Sequence, residues 1–202
     1  MLEFAFVAPV MVLMVAGGFE VGFSAVRAIQ ASTVTRNATV LQVGGVDLST
    51  SRNQTLLLSG TVGLGMTQSG GSADPNGKGI LILTKIYRVG PIECAIGIPG
   101  WNGQPATCPN YGSYVIANRI NIGNSTRWTS HLGTPGDTPA SNGSLTDAQI
   151  ATNTANASSA FPATVSMGLD QYAYLTEMYV DISAYNFFSI VQTPVIYMRN
   201  VS

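Results

Sequence analysis

The chain has 202 residues, of which 9 are Lys or Arg and 10 are Asp or Glu, giving a formal net charge of -1. Charged residues make up 9% of the chain, against about a quarter in an ordinary soluble domain. Because the few basic residues are not clustered, the composition argues against nucleic acid as a partner. Apolar residues make up 46% and the mean hydropathy is +0.25, which argues against intrinsic disorder. A surface built from Ser, Thr, Asn, Gln and Gly is typical of secreted and assembled proteins.

Apolar residues are concentrated at the N-terminus. Residues 4–19 read FAFVAPVMVLMVAGGF, without a charged or hydrogen-bonding side chain, and Glu3 and Glu20 flank them. A helix needs about 20 residues to span the hydrocarbon core, so a span extended to residue 26 would include Glu20. A simple membrane anchor and a helix that passes from a membrane into a protein assembly both fit this segment. A cleaved secretory signal fits poorly, because no basic residue precedes the apolar run.

The helix is predicted to continue to residue 43, because apolar and small residues recur at three- and four-residue spacing up to Gly44 and Gly45. About 40 residues of helix would be about 60 Å long. Pro9 lacks a backbone N–H and is expected to kink or locally open the helix. Small residues along the helix would let other helices approach closely, so we expect copies of it to pack together.

From residue 46 onward, short apolar runs alternate with Gly, Pro, Asn and Ser. Strands are predicted at residues 55–66, 79–89, 114–122, 172–182 and 188–198, with Pro194 at an edge or interruption of the last. A capping box beginning at Ser144 predicts a short helix to about residue 154. Antiparallel pairing is expected, since few crossover helices are available. The predicted fold is α+β: a long N-terminal apolar helix (residues 1–45) followed by a mainly antiparallel β globular domain (residues 46–202).

Cys94 and Cys108 lie in the loop-rich stretch between the second and third predicted strands. Two cysteines at this spacing fit one loop-closing disulfide, worth about 3 kcal/mol in the chain-entropy model. The alternative is two unrelated buried thiols. A disulfide would imply an oxidising compartment and therefore a body outside the cytoplasm.

Patterns that indicate catalysis or metal binding are scarce. His131 is the one histidine, so a zinc site would lack a second imidazole, and neither cysteine lies in a CxxC pattern. Glu177 and Asp181 share one face of a predicted strand, which we interpret as solvated. The DLSTS motif at residues 47–51 matches the magnesium-binding pattern of von Willebrand A-type domains, but such sites need further segments, and a polar loop is favoured. We expect no enzymatic activity, cofactor or metal.

Two stretches of the chain resemble a known family. The sequence EFAFVAP at residues 3–9, the apolar run and GFEVGF at residues 18–23 are similar to the start of TadE-like pseudopilins, the type IV pilin-like proteins of tight-adherence (Tad) systems. Near the C-terminus, LTEMYVD at residues 175–181 is similar to a late strand of that family. The resemblance implies a pilin-like subunit that is drawn from the inner membrane into a helical filament, outside the cell or at its surface.

The resemblance also implies which residues act in assembly. In pilin-like proteins an acid near the mature N-terminus neutralises the free amine of a neighbouring subunit as both become buried. Here Glu3 would be that acid and Met1 would supply the amine, because an unpaired buried charge is costly. Pro9 and Glu20 complete the expected assembly residues. The expected partners are copies of the chain in a helical homopolymer, inner-membrane lipid before assembly, and the pilus assembly machinery.

Three functions are therefore hypotheses at this point. The first is a structural subunit of an extracellular, type IV pilus-like (Tad-like) filament, assembled through the N-terminal helix. The second is a minor TadE-like pseudopilin that primes or caps a pilus. The third is a membrane-tethered module for surface binding and cell adhesion, whose loops would use the aromatic residues Trp101, Tyr111, Tyr114 and Trp128.

Overall fold

The computed structural model describes residues 2–61, 63–68, 70–161, 165–183 and 195–202, with side chains described from residue 7 onward. Helix α1 spans Leu2–Val43, a length of 42 residues. It is continuous through Pro9, so of the two expected effects the helix does not open there, and a kink at Pro9 stays a prediction. The helix ends at the predicted glycine pair, where Gly45 adopts a φ of 75°, the left-handed conformation that glycine favours after a helix.

The described residues form one four-stranded antiparallel sheet in the order β2-β1-β3-β4. The strands are β1 (Gly79–Arg88), β2 (Tyr114–Gly123), β3 (Tyr172–Asp181) and β4 (Val195–Val201). The strands predicted at residues 79–89, 114–122 and 172–182 are confirmed, as is the α+β class. The last predicted strand overlaps β4, while its part at residues 188–194, including Pro194, lies outside the described residues.

The strand predicted at residues 55–66 is wrong. Residues there form helix α2 (Ser51–Leu58) and a 3₁₀ turn (Ser59–Thr61). A short apolar run does not by itself distinguish a strand from a buried helix. Packing against α1 selects the helix over the strand, because Leu57 and Leu58 are buried in the same apolar cluster as Val34 of α1.

Two further short helices lie side by side at one end of the sheet: α3 (Pro91–Gly97) and α4 (Asp147–Thr152). The capping box of α4 starts at Thr146 rather than at Ser144. The Thr146 backbone N–H donates to Gln149 Oε1 over 2.9 Å, and the Gln149 N–H donates back to Thr146 Oγ1 over 3.3 Å. The predicted start was therefore two residues early, because Gln149 supplies the long polar side chain that the motif requires.

The second half of α1 packs on one face of the sheet, where its small residues meet Leu81, Leu83 and Met178. A polar contact lies within this apolar layer. Thr39 and Thr176 are joined by a hydroxyl hydrogen bond of 2.9 Å, and the Asn200 amide donates to Thr39 Oγ1 over 3.1 Å. Because buried polar groups must pair, this contact fixes α1 in one position along the sheet.

Candidate assembly surface

The first half of α1 carries an apolar surface that the rest of the described chain leaves largely uncovered. Each large apolar side chain between residues 7 and 19 is more than half exposed, and Met14 reaches 74%. The stretch contains no charged residue. Among the described helices, one, over Val7–Val43, is long and apolar enough to cross a membrane. This helix therefore gives the chain a means of membrane anchoring, since lipid covers apolar side chains that water does not.

The predicted assembly residues lie on or before this surface. Pro9 is exposed in it, and Glu20 follows its C-terminal end. Glu20 is 3% exposed, and it is the one buried side chain among those described between residues 7 and 30. Residues of the same chain bury Glu20. The expected contact of Glu20 with neighbouring copies therefore stays a prediction. Met1 and the side chain of Glu3 lie outside the described residues.

A groove with an apolar lining runs between α1 and α2. Its volume is about 530 Å³, and none of the described residues that line it is charged. Three large apolar side chains border it with unusual exposure: Ile29 at 66%, Val40 at 69% and Leu56 at 68%. Leu56 is exposed because α2 turns its neighbours Leu57 and Leu58 towards the core. Sequence reasoning missed this groove because it assigned residues 55–66 to a strand.

Cys94 and Cys108 are joined by a disulfide, with Cα atoms 5.9 Å apart. Both cysteines are buried in an apolar cluster that includes Val115 and Ile150. Helices α3 and α4 meet closely here. A Cβ atom on Gly97 would lie 2.5 Å from the Asp147 carbonyl oxygen, so only glycine fits this contact without a shift. The disulfide therefore lies within a packed cluster at one end of the body.

The interpretation of Glu177 and Asp181 as a solvated face is wrong. Glu177 is fully buried, because the segment around Ser130 and His131 covers this face of the sheet. Its carboxylate accepts hydrogen bonds from Ser130 Oγ, from the His131 N–H over 3.2 Å and from the Tyr197 hydroxyl over 3.0 Å. Asp181 is also buried and forms an ion pair with Arg127. These pairings attach a loop to the sheet.

Arg119 lies close enough to Glu177 for their charges to interact. Burial lowers the pKa of the Arg119 guanidinium to about 10, while the Glu177 carboxylate and, after it, the Tyr179 hydroxyl group act in the opposite direction. Burial, followed by the Glu177 carboxylate, raises the pKa of the Tyr197 hydroxyl. Arg119 therefore stays charged and Tyr197 stays a hydrogen-bond donor at neutral pH, although Arg119 Nε and Nη2 have no hydrogen-bond partner among the described residues.

The DLSTS motif forms the polar turn that precedes α2. Asp47 Oδ1 accepts hydrogen bonds from the Ser49 hydroxyl over 2.6 Å and the Ser49 N–H over 2.9 Å, and these bonds lower the pKa of Asp47. The Asn53 amide donates to the Asp47 carbonyl over 2.7 Å. Within the described ranges, no group of three or more His, Cys, Asp or Glu residues is arranged to hold a metal. The motif closes a loop through its own hydrogen bonds.

The aromatic residues considered for surface binding contribute to packing. Trp101 and Tyr111 pack against the cluster around the disulfide. The Tyr114 ring lies 4.7 Å from that of Phe161, and the Trp128 ring stacks on Tyr179 at 6.4 Å. These four side chains are distributed around the body in three different clusters. They do not form one shared aromatic surface.

Residues 1–39 match the family model of TadE-like proteins. The resemblance of the N-terminal region to TadE-like pseudopilins is thereby confirmed, and the match includes Glu3, Pro9 and Glu20. The stretch at residues 175–181 lies outside the match. No curated protein and no solved structure matches the chain. The TadE-like match and the apolar α1 helix together fit a protein associated with a Tad pilus.

Proposed function

We propose that this chain is a structural subunit of an extracellular Tad-like filament and that it assembles through α1. The observation that carries this proposal is the exposed, uncharged surface of residues 7–19 inside the TadE-like match. Such a surface needs cover both before and after the chain leaves a membrane. Copies of the same helix would supply that cover in a filament, with the body at residues 46–202 on the outside.

Inner-membrane lipid would cover residues 7–19 before assembly. Lipid tails are as apolar as these side chains, so helix association must be driven mainly by close packing. Gly18 and Gly22 support such packing, because a Cβ atom built on either residue meets nothing within 4 Å apart from the adjacent backbone of α1 itself. These positions let a neighbouring helix approach the backbone of α1.

Assembly would also bury the N-terminal charges. In this proposal the Glu3 carboxylate of one copy pairs with the Met1 amine of the next, which fixes the register between copies. The pilus assembly machinery would extract the chain from the membrane, and the seam formed by Thr39, Thr176 and Asn200 would hold the body at a constant position on α1.

The test is electron microscopy of material sheared from cells, with mass spectrometry to quantify the chain. We expect uniform filaments composed mainly of this chain from the wild type, and none from Glu3→Gln. Asp47→Asn, which changes an exposed acid in the body, is the matched control and should leave filaments intact. Wild-type filaments in which this chain is a trace component would instead indicate a minor pseudopilin that primes or caps a pilus. Filaments of normal yield from Glu3→Gln would refute the charge pairing.

A further inference from the structure

We propose that the groove between α1 and α2 binds residues 7–19 of a second copy of this chain. The inference rests on the proposed function, since it describes one contact between subunits. It goes further by naming both sides of that contact. One side is the apolar head of one copy, and the other is formed where α2 lies against α1 in its neighbour.

The large apolar side chains that border the groove are unusually exposed. Ile29, Val40 and Leu56 are each about two-thirds exposed, although they border a concave apolar surface. Large apolar side chains around a concavity indicate a site that is covered in use, since monomeric proteins rarely expose such patches. Burial of apolar surface contributes about 25 cal/mol per Å², so covering these side chains is favourable.

The groove and the helical segment at residues 7–19 match in length and in charge. The groove borders α1 from Ile29 to Val40, a distance of about 17 Å along a helix at 1.5 Å per residue. Residues 7–19 form a helical rod of about 18 Å by the same measure. The lining of the groove is uncharged, and so is the rod. Docking would therefore bury no charge, and α1, α2 and the rod would pack as three helices.

The apolar head of the second copy, rather than its groove, is the surface that fits the site. If two grooves faced each other, the contact would be symmetric, would close at two copies and would leave residues 7–19 uncovered. A contact between head and groove is asymmetric, so it repeats from copy to copy and generates a filament. It also covers both exposed apolar surfaces. If the two helices run parallel, the midpoint of residues 7–19 in one copy lies beside the midpoint of residues 29–40 in the next. Contacting copies are then shifted by about 32 Å along α1.

The first test is photo-crosslinking in cells that assemble the full chain, where residues 7–19 have left the membrane. A benzophenone amino acid replaces Leu56, and a second replaces Ile96 of α3 as a control at 58% exposure. Ultraviolet light should convert the Leu56 probe into a dimeric adduct whose attachment site maps to residues 7–19. The Ile96 probe should give none. An adduct between two α2 helices, an adduct with lipid or another protein, or no adduct at all would each overturn the proposal.

The second test is filament assembly by Leu56→Lys and the matched control Ile96→Lys. Both positions are exposed and lie near the C-terminal ends of their helices, where a cation is tolerated. We expect Leu56→Lys to reduce sheared filaments at least tenfold while the membrane-bound chain keeps its disulfide, and Ile96→Lys to assemble normally. Normal filaments from Leu56→Lys would overturn the groove contact and leave the filament function standing. If the wild type forms no filaments, the filament function fails, and the crosslink in the same cells alone decides the groove contact.

Discussion

Two buried carboxylates, Glu177 and Glu93, lie in opposite electrostatic surroundings. Glu177 accepts three hydrogen bonds and has a charged arginine nearby. Glu93 is 6% exposed, and its Oε1 atom has no hydrogen-bond partner among the described residues. Burial, then the negative charges of Asp147 and Asp170, raise the pKa of Glu93 to about 7, with Lys85 opposing them. The fold therefore supplies hydrogen-bond donors to Glu177, while it favours the protonated form of Glu93.

Replacing Glu177 should destabilise the body strongly. Glu177→Ala leaves the donors on Ser130, His131 and Tyr197 buried without an acceptor, at a cost of about 3 kcal/mol. For a chain of this size, that cost lowers the thermal midpoint by about 6 to 12 °C. Thermal unfolding of the full chain in detergent, followed by near-ultraviolet circular dichroism, measures it. Asp47→Asn, which removes an exposed charge and keeps the Oδ1 acceptor for Ser49, is the control and should shift the midpoint by less than about 2 °C; an equal shift in both variants would contradict the role given to Glu177.

Glu93 should make stability depend on pH between about 4.5, its ordinary pKa, and 7. Because its pKa is raised in the folded state, its contribution to stability is complete below pH 4.5 and is lost as the pH rises through 7. Glu93→Gln stays neutral and avoids that loss. We expect the thermal midpoints of variant and wild type to be close at pH 5, and the variant to be the more stable at pH 8. Asp47→Asn should show no such gain at pH 8, and a constant difference between Glu93→Gln and wild type would refute the assignment.

Among the secondary-structure elements, α3 and α4 depend most on a covalent link. They are short helices that pack on each other, and the Cys94–Cys108 disulfide joins α3 to the segment before β2. Such helices have little stability of their own, since isolated helices of this length do not persist in water. Their geometry is therefore maintained by the disulfide together with the apolar cluster around it.

Removing the disulfide should lower the free energy of unfolding by about 3 kcal/mol. The variant that combines Cys94→Ser with Cys108→Ser should lose about 6 to 12 °C in thermal midpoint. Dithiothreitol should lower the wild-type midpoint by the same amount and leave the variant unchanged. If the reductant lowered both midpoints equally, its effect would not come from this bond.

Local sequence pattern predicted the elements whose own residues favour a single conformation. Short apolar runs bounded by turn-forming residues identified β1, β2 and β3, and the glycine pair identified the end of α1. Pattern failed at α2, because the leucines at residues 56–58 fit a strand or a helix, and the surface of α1 selects the helix. Pattern placed Glu177 and Asp181 on one face of a strand, but a loop more than 40 residues away in sequence buries Glu177. The groove was missed for the same reason, since it exists only where α1 and α2 meet.

In the whole molecule, α1 has two roles along its length. Its first half presents apolar side chains outward, while Ala31, Val34 and Ala38 in its second half are buried against the sheet. The second half is thus part of the core of the body, although it belongs to the same helix as the apolar head. The body and the helix therefore cannot be separated at residue 45 without opening that core.

Two truncations should distinguish these roles. Deletion of residues 2–26 removes the apolar head and keeps the packed half of α1, so we expect a folded body that no longer sediments with membranes. Deletion of residues 2–43 also uncovers Leu81, Leu83 and Met178, so we expect aggregation. Membrane fractionation followed by circular dichroism of the released protein compares them. A folded, monomeric product from the longer deletion would contradict the placement of the core.

The seam between α1 and the sheet has a consequence for synthesis of the chain. Thr39 and its partner Thr176 are 137 residues apart in sequence. At about 5 to 20 residues per second, the ribosome needs about 7 to 27 s to proceed from Thr39 to Thr176. Until then the sheet-facing side of α1 lacks its partners in β3 and β4. If the apolar head rests in lipid, as proposed above, α1 stays anchored during that interval, and the membrane then holds the helix in place until its partner strands are made.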